Sequence, residues 1–326
     1  MKGWLGIDVA KDSLEVVLLR EQDEQHTSVA NTPQGFRTLH HFLKKRCRGA
    51  CEVCLEATGL YGDGVAEFLH QQGYRVSVVN PSRIKAYGDS LLRRNKTDRT
   101  DARLIAQFCR TQQPEVWTPM PAEVKELRAL LRHLDDLQAM CQQEQNRVQA
   151  GETSTTVHWQ LEQHIAFLQQ QIRQLKRQIE DHFDQHPHLK QQRELLTSIP
   201  GIGDLTAGRL LAEVRDICAF DSARQLAAFV GVTPRQYQSG TTVRRASHIT
   251  KQGNSALRAA LYLPALTAKR HNPLILPLVQ RLRERGHSER SILLAAMRKL
   301  LHLVYGILKS GKPFDPDYLA KRAAAA

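Results

Sequence analysis

Short apolar runs separated by amphipathic stretches fill the first hundred residues of the chain. Runs of strand type lie at residues 4–9, 14–19, 26–31, 52–56 and 74–79. Thr32 followed by Pro33 predicts the start of a helix, and a second helix is expected at about residues 61–72. Three leading strands followed by alternating helices and strands predict a mixed sheet covered by helices.

The hydrophobic period changes to that of long helices between Pro121 and about Phe183. Apolar positions there recur at alternating steps of four and three, the spacing of a coiled-coil seam: Leu161, Ile165, Leu168, Ile172, Leu175 and Ile179. The preceding stretch carries a similar stripe: Leu127, Leu130, Leu131, Leu134, Leu137 and Cys141. Because a turn is expected near residues 151–155, these two helices predict an antiparallel hairpin.

Helix signals also dominate the last third of the chain. They cover residues 205–214, 223–231, 254–269, 273–285 and 288–309, with a polar loop or short hairpin at 234–253. The turn Pro200-Gly201-Ile202-Gly203 fits a helix-hairpin-helix, in which Gly201 and Gly203 let backbone N–H groups approach a phosphate. A glycine-rich turn between ordinarily packed helices is the alternative.

These patterns predict an α/β domain followed by helical parts. We expect the sheet domain at residues 1–118, the coiled-coil hairpin at 119–186 and a mostly helical C-terminal domain at 187–326. A chain of 326 residues is long enough for more than one core, because single cores stop growing near roughly 250 residues. With 41% hydrophobic and 24% charged residues, the composition is that of a folded protein rather than a disordered one.

The net charge of +13 is distributed unevenly along the chain. Residues 1–234 carry 29 Lys and Arg against 29 Asp and Glu, whereas residues 235–326 carry 17 against 4. The whole excess therefore lies in the last segment, which suits a polyanionic partner such as nucleic acid. A solvated basic surface without a partner is the alternative.

The first residues run directly into a strand pattern rather than a signal peptide, and the six cysteines are too sparse and irregular for a disulfide framework, which favours a reducing compartment. No run is expected to approach the roughly 20 apolar residues of a membrane span, so we expect a cytoplasmic protein without a membrane partner. Cys47, Cys51 and Cys54 have the spacing of cluster-binding radical enzymes. Alternation along the strand that follows should turn Cys51 and Cys54 to opposite faces, which argues against a shared cluster.

Four acidic residues stand out as candidate metal ligands. Asp8 lies within an apolar strand, Glu56 ends a second one, and Asp98 and Asp101 share one face at a predicted helix start. Such oxygen ligands suit Mg²⁺ or Mn²⁺, which assist phosphoryl transfer. Alternatively, Asp98 and Asp101 only complement a helix dipole, and Asp8 only caps a turn. The Gly6-Ile7-Asp8 pattern also occurs in actin-like ATPases, but the sequence shows neither the later glycine-rich phosphate loops nor the second acidic strand that this class needs.

Several motifs occur together in a recognisable order along the chain. They are residues 6–11 (GIDVAK), 55–59 (LEATG), 95–102 (NKTDRTDA), 199–203 (IPGIG), 223–235 (ARQLAAFVGVTPR) and 238–240 (QSG). This ordered set resembles the IS110 family of insertion-sequence transposases. Thr241 and Thr242 depart from the serine expected there in relatives.

The resemblance implies an RNase H/RuvC-like sheet domain and a transposase domain. It implies an acidic quartet, a DEDD set, at the positions of Asp8, Glu56, Asp98 and Asp101, and a nucleophile at the position of Ser239. It further implies a bacterial, nucleoid-associated enzyme guided by an RNA that the element encodes. Basic residues near Ser239 are candidates for contacting DNA phosphates: Arg235, Arg244, Arg245 and Lys251.

The implied mechanism is strand exchange through a phosphoserine link. Exchange between two duplexes requires several active sites, so we expect a homodimer or homotetramer on double-stranded DNA. Two other functions stay open. One is a metal-dependent nuclease of the junction-resolvase type, in which Ser239 is structural. The other is a nucleic-acid-binding protein without catalysis, in which the acids serve only the fold.

Overall fold

The structure is a computed structural model that divides the chain into two compact units, Met1–Pro119 and Met120–Ala326. It describes residues 2–21, 23–47, 49–57, 59–92, 97–151, 154–214, 216–235, 238–239, 243–244, 248–249, 252–318 and 321. Beyond Pro234 in residues 234–249, the structure describes the backbone of the paired strands and, of the side chains, that of Ile249. The predicted hairpin, residues 119–186, shares one hydrophobic core with the helices that follow it. A separation of these residues into two domains therefore stays a prediction.

A five-stranded mixed sheet organises the first unit, as the sequence predicts. Its strands are β1 Gly3–Val9, β2 Ser13–Leu19, β3 Glu24–Ala30, β4 Cys51–Glu56 and β5 Arg75–Val79. The strand order is β3-β2-β1-β4-β5. β2 runs antiparallel to its neighbours β1 and β3, whereas β4 runs parallel to its neighbours β1 and β5. Within the sheet, β2 therefore runs antiparallel to the other four strands.

Helices cover both faces of this sheet. They are α1 Pro33–Arg46, α2 Leu60–Gln71, α3 Pro81–Ser90 and α4 Asp98–Gln112. On one face, Leu5 and Ile7 of β1 share a core with apolar residues of α1 and α2. On the other face, Cys54 of β4 packs with Leu104 and Ile105 of α4. α1 starts where predicted, because Thr32 caps it and Pro33 occupies its first turn.

α3 is a helix that the sequence analysis did not predict. It begins after Asn80, whose side chain accepts a hydrogen bond from the backbone N–H of Ser82, and Pro81 occupies its first turn. This is the same cap-and-proline signal that marks α1, so the information was present in the sequence.

Four of the six cysteines form two neighbouring pairs rather than a three-membered group. Cys51 and Cys54 lie in separate cores on opposite faces of the sheet, as strand alternation predicts. A hydrogen bond with Cys51 lowers the pKa of Cys47 to about 7, and Cys54 is hydrogen-bonded to Cys109 of α4. This pairing is inconsistent with the cluster-binding alternative.

Helices make up most of the second unit. They are α5 Ala122–Gln149, α6 Thr155–Gln185, α7 Pro187–Thr197, α8 Asp204–Val214, α9 Ala223–Val230, α10 Ser255–Ala260, α11 Tyr262–His271, α12 Leu276–Glu284 and α13 Glu289–Ser310, with a short 3-10 helix at Ile217–Ala219. α5 and α6 form the predicted antiparallel hairpin, since His164 lies beside Glu144 and His182 beside Glu123. Leu161, Leu168 and Leu175 of the predicted seam are buried.

The helix predicted over residues 254–269 is divided into α10 and α11. Pro264 has no backbone N–H, so it cannot donate a hydrogen bond to the carbonyl of residue 260. The break therefore falls near Leu261, which is fully buried between the two short helices.

The turn between α7 and α8 packs closely against α11. Gly201 has a φ of +109°, and a Cβ atom there would lie 2.8 Å from the carbonyl oxygen of Pro264. The fully buried Asn272 donates a hydrogen bond from Nδ2 to the carbonyl oxygen of Pro200. Packing therefore requires glycine at position 201 without any phosphate, whereas a Cβ on Gly203 would meet nothing within 4 Å. The helix-hairpin-helix stays a prediction.

α13 corrects one expectation about apolar runs. An 18-residue stretch within its 22 residues reaches a mean hydropathy of 1.5, so by length and composition it meets the criterion for a membrane span. Ile292, Leu300 and Val304 of α13 are fully buried in the core of the second unit. The helix predicted over residues 288–309 was not counted as a span because Arg298, Lys299 and His302 interrupt its apolar run. A buried central helix of a helical domain passes the same criterion.

Candidate active site

Asp8 and Glu56 lie at the carboxyl ends of two adjacent parallel strands. In the register of β1 with β4, Gly6 pairs with Cys54, and Asp8 and Glu56 each lie two residues further on. Because side chains alternate along a strand, both acids lie on the sheet face that Cys54 shares, which is the face covered by α4. Both are partly exposed to solvent.

A direct backbone contact brings the start of α4 to this part of the sheet. A Cβ atom on Gly6 would lie 2.1 Å from the carbonyl oxygen of Ala102 and 2.3 Å from the backbone nitrogen of Ala106. Asp8 lies about 6.6 Å along its strand from Gly6, and Asp98 about 6 Å along the helix from Ala102. The glycine therefore allows the first turn of α4, with Asp98 and Asp101, to lie near the acidic strand ends.

The first turn of α4 is fixed by its own cap and by a strand. Thr97 and Thr100 form a reciprocal capping box, in which the backbone N–H of Thr100 donates to Thr97 Oγ1 at 3.2 Å. Arg103 of α4 pairs with Glu24 of β3, and its Nε donates to Glu24 Oε2 at 2.5 Å. These contacts hold the helix start in one orientation over the sheet.

The four predicted acids share one sheet face, but their carboxylates are not gathered into a ligand group. Asp98 is exposed and Asp101 partly exposed. Within the part of the chain that the structure describes, no three His, Cys, Asp or Glu side chains lie close enough together to hold a metal ion. The donor chemistry suits a hard cation such as Mg²⁺, which binds carboxylate oxygens. The carboxylates would have to turn towards a common point to bind it.

Glu15 is an acid that the sequence analysis did not select. It pairs with Asp8 across β1 and β2, so both side chains lie on the same face of the sheet. Its Oε2 is 2.6 Å from Nε2 of His26, which lies on β3. The signal was the one that identified Asp8, namely an acid between buried apolar residues of a strand.

Ser239 lies in a segment of very short antiparallel strands. β6 Pro234–Arg235 pairs with β9 His248–Ile249, and β7 Gln238–Ser239 pairs with β8 Val243–Arg244. Ser239 faces Val243 in this register, so it ends its strand directly before residues 240–242. The predicted short hairpin is confirmed. Of the predicted phosphate contacts, Arg235 and Arg244 are described by their backbone only, and Arg245 and Lys251 lie outside the described residues.

The end of the serine segment is attached firmly to the helical core. Asn254 donates its backbone N–H to the carbonyl oxygen of Phe229 at 2.8 Å and caps α10 through its side chain. Arg258 of α10 donates from Nη1 to the carbonyl oxygen of Val230 at 3.0 Å. The segment therefore leaves α9 and returns to α10 at neighbouring points of a packed core.

Two protein-family models match the chain. One described as "Transposase" matches residues 5–151, and one described as "Transposase IS116/IS110/IS902 family" matches residues 193–280. The chain is also 32% identical over 321 residues to a "Pilin gene-inverting protein" of Moraxella bovis, covering 96% of this chain and 98% of that protein. The chain belongs to the IS110 family of transposases. The predicted family and the predicted enzyme class, a DNA transposase or recombinase, are confirmed.

Other relatives of this IS110-family transposase extend the same similarity. A pilin gene-inverting protein of Moraxella lacunata is 32% identical over 96% of this chain and 98% of its own length. The "Transposase for insertion sequence element IS1111A" of Coxiella burnetii is 26% identical, over 82% of this chain and 78% of its own length. The first family match spans the four predicted acids, and the second spans Gly201, Gly203 and Ser239.

Proposed function

We propose that this IS110-family transposase cuts and rejoins DNA strands through a phosphoserine link at Ser239, with Mg²⁺ or Mn²⁺ held by Asp8, Glu56, Asp98 and Asp101. One observation carries the proposal. Asp8 and Glu56 end adjacent parallel strands on the sheet face to which Gly6 admits the start of α4. Acids placed at adjacent strand ends and at a helix start suit metal-dependent phosphoryl transfer.

The topology of the sheet supports an RNase H/RuvC-like assignment for the first unit. That fold has a five-stranded mixed sheet with one strand opposed to the others. The order β3-β2-β1-β4-β5 with an opposed β2 has this form. In such an arrangement the acids of the first and fourth strands are neighbours, as the register of β1 with β4 provides for Asp8 and Glu56.

The reaction we propose at Ser239 conserves bond energy. Ser239 Oγ attacks a DNA phosphorus and forms a new O–P bond, while the bond from phosphorus to the 3′ oxygen breaks. The hydroxyl proton of Ser239 passes to solvent or a base, and the released 3′ oxygen takes up a proton. In the reverse direction, the 3′-hydroxyl of an exchanged strand attacks the phosphoserine link. The strands are rejoined without ATP.

The metal would supply charge stabilisation at the reacting phosphate. A divalent ion bound to carboxylates can polarise a phosphoryl oxygen and stabilise the departing one. The four acids would hold it, and because Asp98 is exposed and the other three are partly exposed, a phosphodiester has access to them. Glu15, paired with His26, lies opposite Asp8 on the same sheet face and would add negative charge that favours a cation there.

The partners we propose are double-stranded DNA, a guide RNA and further copies of the chain. The relatives include proteins named for pilin gene inversion and for insertion-sequence transposition. The reaction that we propose exchanges strands between two DNA duplexes. Such an exchange needs more than one active site, which supports a homodimer or homotetramer. The basic residues after position 234 would contact phosphates of DNA or RNA.

A metal-dependent nuclease is the second candidate function. The arrangement of Asp8 and Glu56 favours it equally, because that arrangement does not depend on Ser239. In this mechanism water attacks the phosphorus, so the cut leaves a free 5′-phosphate.

The chemistry of the cut ends distinguishes the two functions. Purified protein would be incubated with labelled element-end DNA, Mg²⁺ and RNA from the flanking region. The serine mechanism predicts 3′ ends that a polymerase can extend and 5′ ends that resist a 5′-phosphate-dependent exonuclease. Free 5′-phosphates, still produced by Ser239→Ala, would instead establish the metal-dependent nuclease.

A further inference from the structure

A network of charged side chains joins α5, α8 and α10 within the second unit. Glu213 of α8 is its centre, with only 10% of its side chain exposed. Its Oε1 accepts hydrogen bonds from Arg128 Nε and Arg132 Nη2 of α5, both at 3.0 Å. Its Oε2 accepts one from Asn254 Nδ2 at 2.7 Å. A nearly buried acid therefore holds two arginines in fixed positions.

A cavity of about 320 Å³ opens beside this network. Its charged lining consists of Arg128, Arg132 and Arg209 against Glu213 and Asp135, which leaves one positive charge in excess. Its remaining lining includes Ala256, Ala259 and Ala260 of α10, whose short side chains leave room for a ligand.

Arg209 has an unused donor in this lining. It pairs with Asp135 through Nη2, but its Nε is buried and has no acceptor among the residues that the structure describes. Buried N–H groups of charged side chains normally have an acceptor. This Nε is enclosed by protein, so an anion in the cavity would reach Arg209 through its Nη groups.

We infer that this cavity binds a backbone phosphate of DNA through Arg128, Arg132 and Arg209. The inference rests on the proposed function, which supplies DNA as the ligand. Guanidinium groups match phosphate oxygens with paired donors, and three of them border one cavity. One charge in excess balances one phosphodiester.

The position of the cavity indicates what the phosphate would do. Asn254, which Glu213 holds, begins α10 and ends the segment that carries Ser239. A phosphate bound against α10 would bring the DNA backbone to the attached end of the serine segment. Glu213 thus orients both the two arginines of α5 and Asn254 at the start of α10.

The test adds a negative charge to the cavity without removing any existing contact. Ala259 is exposed and lines the cavity, so Ala259→Glu places a carboxylate there at little cost to folding. Ser255→Glu is the matched control, because Ser255 is exposed on the same helix and does not line the cavity. Both variants change the net charge equally. Duplex DNA binding is measured by fluorescence anisotropy over a range of salt concentrations.

We expect Ala259→Glu to weaken DNA binding at least about 10-fold and Ser255→Glu at most about 2-fold. Arg132→Gln should reduce the slope of log affinity against log salt by about one, as for the loss of one phosphate contact. Equal DNA affinities of the two glutamate variants would overturn the inference and leave the proposed function standing. If Ala259→Glu weakened the binding of duplex RNA of equal length but not that of duplex DNA, the assignment of the cavity to DNA would be overturned.

Failure of the wild-type protein to bind DNA or RNA would contradict the proposed function instead. In that case, the melting temperature of each protein is measured with and without inorganic phosphate, to test whether the cavity binds an anion. A rise for wild type and Ser255→Glu but not for Ala259→Glu would support an anion site. The absence of any such difference would overturn it.

Discussion

The acidic and serine regions of this transposase are built in different ways. Asp8 and Glu56 belong to a five-stranded sheet whose strands are long enough for β1 to pair with β2 over six residues. A close backbone contact between Gly6 and Ala102 fixes α4 above this sheet. Ser239 belongs to strands of two residues each, attached to the core through Asn254 and Arg258. The regular region places its side chains by packing, whereas the serine region depends on the points where its segment is attached.

The largest effect is expected where the acidic region depends on a single close contact. Gly6→Ala would place a Cβ atom 2.1 Å from the Ala102 carbonyl oxygen, so α4 would have to move away from the sheet. We expect a loss of at least about 3 kcal/mol in the free energy of unfolding, since backbone cannot yield as side chains do. Urea denaturation followed by circular dichroism measures it.

Gly64→Ala on α2 provides the matched control for that experiment. A Cβ atom there would meet the ring of Phe36 at an ordinary distance of 3.4 Å. We expect it to be neutral or slightly stabilising, because alanine favours a helix over glycine. If Gly6→Ala were as stable as Gly64→Ala, the close contact that positions α4 would be disproved.

A smaller effect on folding but a large one on activity is expected at Asp8. Asp8→Asn keeps the shape of the side chain and removes the charge that the proposed metal requires. We expect DNA cleavage to fall at least about 100-fold at fixed Mg²⁺ with DNA binding retained. Asp63→Asn, in α2 on the opposite side of the sheet, should cleave normally. Equal cleavage by the two variants would exclude Asp8 as a metal ligand.

The smallest effects are expected in the turn between α7 and α8. Gly201→Ala should cost about 2–3 kcal/mol of stability, because its φ is +109° and its Cβ would meet α11. Gly203→Ala should change stability by less than about 0.5 kcal/mol. If Gly203→Ala nevertheless weakens DNA binding, the helix-hairpin-helix prediction gains support. Unchanged binding would leave the turn a packing element only.

Local sequence patterns located more of the residues in the acidic region than in the serine region. Apolar strand runs are local signals, so Asp8 and Glu56 could be located from them, and the spacing of Asp98 and Asp101 placed them at a helix start. The contact of Gly6 with Ala102 joins residues far apart in sequence, and no local pattern reveals it. Ser239 carries no physical signal that separates it from other serines, and only the family resemblance selected it. The network at Glu213 was missed because its members lie on three separate helices.

The most direct test of the central claim is whether DNA becomes bonded to Ser239. Wild-type protein, Ser239→Ala and Ser247→Ala would each react with labelled element-end DNA, Mg²⁺ and flanking RNA before a denaturing gel and peptide mass spectrometry. Ser247 is the other serine between residues 235 and 251. We expect an adduct on the peptide containing Ser239 in the wild type and in Ser247→Ala, and none in Ser239→Ala. Cleaved DNA without an adduct, undiminished in Ser239→Ala, would contradict the account.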